Sequence, residues 1–114
     1  MSDCLFCKIV AGKIPSDKVL ENDHVLAFRD INPQAPVHIL VIPKKHYDSV
    51  TEFTAADETL AGRLVLAAQQ IAIQEKIADR GYRMVMNAGN EGGQSVAHVH
   101  LHLLGGRQMG WPPG

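Results

Sequence analysis

Hydrophobic positions fall into short blocks separated by turn-forming residues, with one long exception. Residues 4–11, CLFCKIVA, predict a short helix ended by Gly12. Residues 17–22 and 24–29 read as two strands joined at Asn22-Asp23, a tight-turn pair. Residues 30–36, DINPQAP, carry two prolines and predict a loop. Residues 38–44, HILVIPK, form a continuous apolar run, which predicts a buried strand cut off at Pro43.

The exception is residues 54–78, where helical periodicity persists. Thr54 with Asp57 or Glu58 is a helix-start signal. Leu60, Leu64, Ala67, Ala68 and Ile71 make one apolar stripe, and Leu66, Ile73 and Ile77 a second. Two stripes predict contacts on two sides, one with a sheet and one with either a partner subunit or the rest of a snug monomer.

Residues 82–89, YRMVMNAG, predict a strand that runs into a glycine-rich segment, 88–95. A last strand follows, and the tail, GRQMGWPPG, has too much Gly and Pro to be regular. The order β-β-β-α-β-β with a small leading helix predicts an α+β domain with a mainly antiparallel sheet. It is expected to span 1–114 as one unit, with a leading segment 1–12 and a tail 105–114.

Strict alternation marks the last strand. His98, His100 and His102 interleave with Val99, Leu101 and Leu103. Successive strand residues face opposite ways, so the three imidazoles share one face at a spacing of about 6–7 Å. Three uses are open to such a row. It could be a solvent face, a work usually given to Thr, Lys, Ser or Glu. It could hold a metal, since His-x-His is a good ligand pair. Or one imidazole could attack phosphorus while a second donates to a phosphoryl oxygen or a leaving group. The preceding glycines favour phosphate, because such a loop can turn backbone N–H groups toward an anion. Gln94 and Ser95 add neutral donors.

Composition narrows the classes. The chain has 114 residues, 46% hydrophobic and 20% charged, and a net charge of −1. That is an ordinary globular balance, with no basic footprint for nucleic acid or a membrane surface. No apolar run approaches the ~18–20 residues that cross a bilayer. The start, Met1-Ser2-Asp3, lacks the features of a secretory signal, so a cytoplasmic location is expected. Two cysteines are too few for a disulfide framework.

The run His98-Val99-His100-Leu101-His102-Leu103-Leu104 resembles the histidine triad signature. FRDINPQAPVHILVIPKKH (28–46), residues 82–114 and FCKIVAGKIPS (6–16) extend the likeness to the Hint branch of that superfamily, the nucleoside phosphoramidate hydrolases. The resemblance implies a five-stranded antiparallel sheet with one long and one short helix, and a homodimer with a continuous ten-stranded sheet. It implies hydrolysis of purine nucleoside 5′-phosphoramidates, such as those of AMP, to the monophosphate and an amine. His100 would be the nucleophile that carries the nucleotidyl group. His102 would bind phosphoryl oxygens, and His38 would orient the nucleophile. Asn87, Gln94 and Ser95 match phosphate-side residues, with Ser95 also a donor to the departing amine. Asp30 matches the carboxylate that grips the ribose. Phe6, Ile9, Phe28, Ile31 and Leu40 would line the base pocket, and Trp111 would reach the partner's site. No magnesium-binding carboxylate cluster is apparent, which agrees with catalysis that needs no cofactor. Dinucleoside polyphosphate hydrolysis, or a nucleotide-binding regulatory or scaffold role, are the alternatives.

Cys4-Leu5-Phe6-Cys7 is a C-x-x-C without the βαβ setting of a thioredoxin motif. Some members of the superfamily bind zinc through such a pair. By that resemblance Cys4, Cys7, His46 and His98 would hold a structural zinc. His98 is then either an orienting residue or a metal ligand.

Overall fold

A computed structural model describes residues 3–114; Met1 and Ser2 of the leading segment lie outside the described residues. Helix α1 spans Leu5–Val10, with Cys4 as its N-cap. Strands β1 (Lys18–Glu21) and β2 (Val25–Arg29) form an antiparallel hairpin. Asn22 makes the turn, its side-chain oxygen accepting from the His24 and Val25 amides at 2.9 Å each. Strand β3 (Val37–Pro43) is central, β4 (Tyr82–Val85) is an edge, and β5 (Leu101–Gly105) lies between them, giving the antiparallel order β1-β2-β3-β5-β4. This is the expected α+β architecture.

Side-chain alternation divides the interior in two. Val25, Ala27, Ile39, Val41, Leu101 and Leu103 face the long helix α2 (Glu58–Gln74) through Leu64, Ala67, Ala68 and Ile71. Leu26, Phe28, Leu40 and Ile42 face the other way and pack on Phe6 and Ile9 of α1. The sheet therefore separates a structural layer from a face covered only by one short helix.

The long element is shorter than its periodicity predicts. Thr54 and Asp57 form a capping box around a 3-10 turn, and α2 begins only at Glu58. At the other end Lys76 adopts φ +61°, which turns the chain back. Ile77 therefore lies beyond the helix and is buried in the main core rather than on a second stripe. Leu66 and Ile73 do stand away from the sheet, exposed with Val65. Among the described residues no helix is long and apolar enough to cross a membrane.

Ile77 also explains a glycine. A Cβ on Gly105 would lie 2.5 Å from the Ile77 Cδ1, closer than carbon atoms approach. Gly105→Ala is expected to lower stability by roughly 1–3 kcal/mol, the usual cost of overpacking. Urea unfolding checks this, and an unchanged midpoint would contradict the packing.

Candidate active site

The regular ladder of β5 begins at Leu101, so His98 and His100 precede the strand rather than lie within it. The alternation nonetheless holds. Val99, Leu101 and Leu103 enter the core under α2, and the histidines face the α1 side. There a cavity of about 580 Å³ opens between α1, β2, β3 and the triad. Its wall includes Phe6, Ile9, Phe28, Asp30, Ile31, Leu40, Ser95, His100 and His102, nine of the residues singled out from sequence. Leu5, Ile14, Pro15, Ser16, Asp17, Arg29 and Val96 complete it. Ile14 and Pro15 carry no chemistry and no period, and only their place in the family-like stretch 6–16 marks them. Ile31, an isoleucine left entirely in solvent, stands on the same wall.

Hydrogen bonds to groups of fixed polarity settle where the ring protons sit. The His100 Nδ1 lies 2.7 Å from the His98 carbonyl, which only accepts, so Nδ1 carries the proton and Nε2 the lone pair. The His38 Nδ1 accepts from the Gln34 amide at 3.0 Å, so the His38 proton is on Nε2. That N–H points at the His102 Nδ1, 2.9 Å away, with the Asp30 carboxylate 3.5 Å off. His102 therefore accepts at Nδ1 and carries its proton on Nε2. The outcome is one imidazole with a free lone pair beside one with a free N–H, their ring centres 4.9 Å apart.

Burial favours the neutral forms of His38 and His102. It pushes the His102 imidazolium down from the usual 6.5 to about 4, helped by His100 and His38 and opposed by Asp30. Burial also lowers His38, again against Asp30. A neutral His102 is a hydrogen-bond donor that does not consume protons near neutral pH.

Some expected roles move. His38 was set against the nucleophile, but it bonds His102, because β3 pairs His38 with Leu104 and Leu40 with His102 in register. The group that orients His100 is the backbone of His98. Gln94 does not line the cavity. Its side-chain oxygen accepts from the Gly89 amide, and its nitrogen donates to the Asp48 and Val96 carbonyls. The glycine-rich loop is likewise tied to itself, the Gly93 and Gln94 amides donating to the Asn90 and Gly89 carbonyls. From its far end it offers Ser95 to the cavity. Asn87 is off the wall, and Trp111 lies exposed in the tail.

His98 belongs to a second cluster with Cys4, Cys7 and His46, whose ligand atoms all lie within 4.8 Å of one another. The His98 Nδ1 is 3.3 Å from the Cys4 Sγ, 3.7 Å from the Cys7 Sγ and 3.1 Å from the His46 Nδ1. The Cys7 Sγ is 3.3 Å from the His46 Nδ1. Tetrahedral zinc, with bonds of about 2.0–2.3 Å, sets donors roughly 3.3–3.8 Å apart. The protonation pattern agrees. The His98 Nε2 donates to the Pro43 carbonyl at 2.8 Å and the His46 Nε2 to Asp48 at 2.6 Å. Both Nδ1 lone pairs therefore face each other, a clash relieved by a bridging proton or metal ion. Outer partners of this kind are what metal-bound imidazoles use. The four residues fit a metal ion.

Comparison with known proteins agrees with the geometry. The HIT domain family matches residues 11–109. The adenylylsulfatase HINT1 of Arabidopsis thaliana is 53% identical over 116 residues, covering 99% of this chain and 78% of that protein. A 14 kDa zinc-binding protein of Brassica juncea is 53% identical over 115 residues, covering 98% and 100%. The crystal structure of a HIT family hydrolase from Legionella pneumophila superposes with a TM-score of 0.97 at 51% identity, covering 98% of this chain and 100% of that one.

The low proton affinity of His102 has a consequence for stability. The unfolded chain binds this proton more readily, so acid favours unfolding. Its contribution is complete above pH 6.5 and is lost as pH falls toward 4. NMR titration of the histidine ring protons is expected to find His102 titrating at about 4, well below the usual 6.5. A midpoint near the usual value would contradict the buried, His38-bonded ring.

Proposed function

The chain belongs to the HIT domain family, and from that premise we propose that it hydrolyses nucleoside 5′-phosphoramidates through a nucleotidyl-histidine. The observation that carries this reading is the pairing of a free lone pair on His100 with a free N–H on His102 at one wall of the cavity. The His100 Nε2 attacks the α-phosphorus, forming one P–N bond as the bond to the amine breaks. The amine must leave protonated, and Ser95 is the wall residue placed to donate. Water then attacks the same phosphorus, the P–N bond to His100 breaks, and the water's proton returns to Ser95, releasing the monophosphate and restoring His100. The His102 N–H bonds a phosphoryl oxygen throughout, its ring held by His38. Asp30 receives the ribose hydroxyls. Phe6, Ile9, Phe28, Ile31 and Leu40 enclose the purine between apolar surfaces.

We assign zinc to Cys4, Cys7, His46 and His98, a reading supported by the donor spacing and by the zinc-binding relative. When bound, it supplies a tetrahedral cross-link between α1 and the triad segment. His98 is then a scaffold residue. A homodimer is part of the same reading. β4 leaves an open sheet edge, and Val65, Leu66 and Ile73 expose apolar surface on α2. Arg83 on β4 holds the tail through the Gly110 carbonyl at 2.7 Å, and the adjoining Trp111 is exposed, which supports a reach from the tail to a second copy.

The relative named adenylylsulfatase favours a second reading, in which sulfate rather than an amine leaves the adenylyl group. Turnover of adenosine 5′-phosphoramidate and adenosine 5′-phosphosulfate by the same preparation separates the two. The first is expected to have the higher kcat/KM, and the reverse order would favour the sulfatase. His100→Ala is expected to lower kcat by about a thousandfold or more, as loss of a nucleophile does. Undiminished turnover in that variant would remove the nucleophile assignment. Sedimentation at micromolar concentration is expected to give twice the chain mass, and a single-chain mass would refute the dimer.

A further inference from the structure

Helix α1 serves two sites at once. Leu5, Phe6 and Ile9 line the nucleotide cavity, while Cys4 and Cys7 bracket the same turn. Phe6, between the cysteines, packs edge-on to His98 at 5.8 Å and to His100 at 5.2 Å between ring centres. Among the described residues, the side-chain polar contacts from Cys4 through Ala11 to the rest of the molecule are those of the two thiols with His46 and His98; beyond them the segment accepts only from the adjoining Gly12 and Lys13 amides. His98 passes the constraint on, since its carbonyl holds the His100 ring. One cluster thus pins both the base-binding wall and the attacking imidazole.

The thiols are placed to react. Their sulfurs lie within 4.8 Å of each other. They stand one helical turn apart, inside the Cα separation of about 4.4–6.8 Å that a disulfide spans. Cys4 also lines a second opening of about 390 Å³ with Leu5, His46, Asp48 and Val96, and Cys4 is not on the wall of the larger cavity, from which Leu5 and Val96 divide it. A small oxidant can reach the sulfur there without entering the active site.

We propose that Cys4 and Cys7 are a modification site: a peroxide joins them as a disulfide, which detaches α1 from His46 and His98 and weakens nucleotide binding. In the first step the Cys4 sulfur attacks a peroxide oxygen. The O–O bond breaks, the departing hydroxide takes a proton to become water, and Cys4 is left as a sulfenic acid. The Cys7 sulfur then attacks that sulfur, the S–O bond breaks and a second water leaves. The two sulfurs lose two electrons in total and the peroxide gains them. The disulfide sulfurs no longer serve as thiolate ligands, so a bound metal is left with two imidazoles and is released. The effect on nucleotide binding rests on the proposed nucleotide pocket, and the effect on turnover on the proposed hydrolysis as well.

The test uses the full chain, purified under reducing conditions and treated with hydrogen peroxide. Peptide mapping reads the Cys4–Cys7 link, a chromogenic chelator reads released zinc, calorimetry reads AMP affinity, and phosphoramidate turnover is followed alongside. The expected result is a link formed in step with zinc release, AMP affinity weakened by about tenfold, and recovery of affinity with dithiothreitol and added zinc. The Cys7→Ala variant is expected to show no further change on treatment. Unchanged AMP affinity once the link has formed would overturn the proposal. So would oxidation without a Cys4–Cys7 link, or an equal loss of affinity in treated Cys7→Ala, which would place the damage on other side chains. If the untreated protein turns over no phosphoramidate yet AMP affinity still falls with the link, the hydrolytic reading fails and the thiol site stands.

Discussion

A single buried hydrogen bond decides what the triad can do. The His98 carbonyl accepts from the His100 Nδ1, and because a carbonyl has no proton to offer, the lone pair of His100 is committed to Nε2. A side-chain partner could switch roles with pH, whereas a backbone oxygen cannot. The proposed nucleophile is therefore set by main-chain geometry, and the segment just before β5 must keep its path for that arrangement to exist.

The same logic runs through the other rings. A backbone amide fixes His38, His38 fixes His102, a backbone carbonyl fixes His98 and a carboxylate fixes His46. Burial then favours the neutral forms of His38, His98 and His102. Five imidazoles in a small volume would repel one another if charged. They form two chains of donors and acceptors, one ending at a lone pair or N–H in the cavity and the other at a cluster of thiols and imidazoles.

The sheet keeps these functions apart while holding them close. Its α2 face is a continuous apolar core, so the fold's stability draws mainly on residues with no part in the chemistry. Its α1 face carries a smaller cluster, and Phe6 belongs both to that cluster and to the cavity wall. The covering helix is short and has few polar ties. The Cys4, Cys7, His46 and His98 cluster ties it at one point where a longer helix would be held by area.

Much of this was legible along the chain. Period-two alternation at 98–103 determined which residues face the core, and the continuous apolar run of β3 marked the centre of the sheet. The wider resemblance singled out Asp30, Ser95 and the apolar wall residues before any geometry was available. Alternation could not show that Gln94 spends its amide within its own loop, that His38 meets His102, or that α2 stops in time for Ile77 to turn inward. Those outcomes depend on strand register and on loop closure between residues far apart in the chain. Local pattern determines a side chain's face, but its partner is set by the elements packed beside it. Sequence by itself determined that three imidazoles share a face; the tertiary structure decided that one joins two thiols, one keeps a lone pair and one a proton, because each meets a different neighbour.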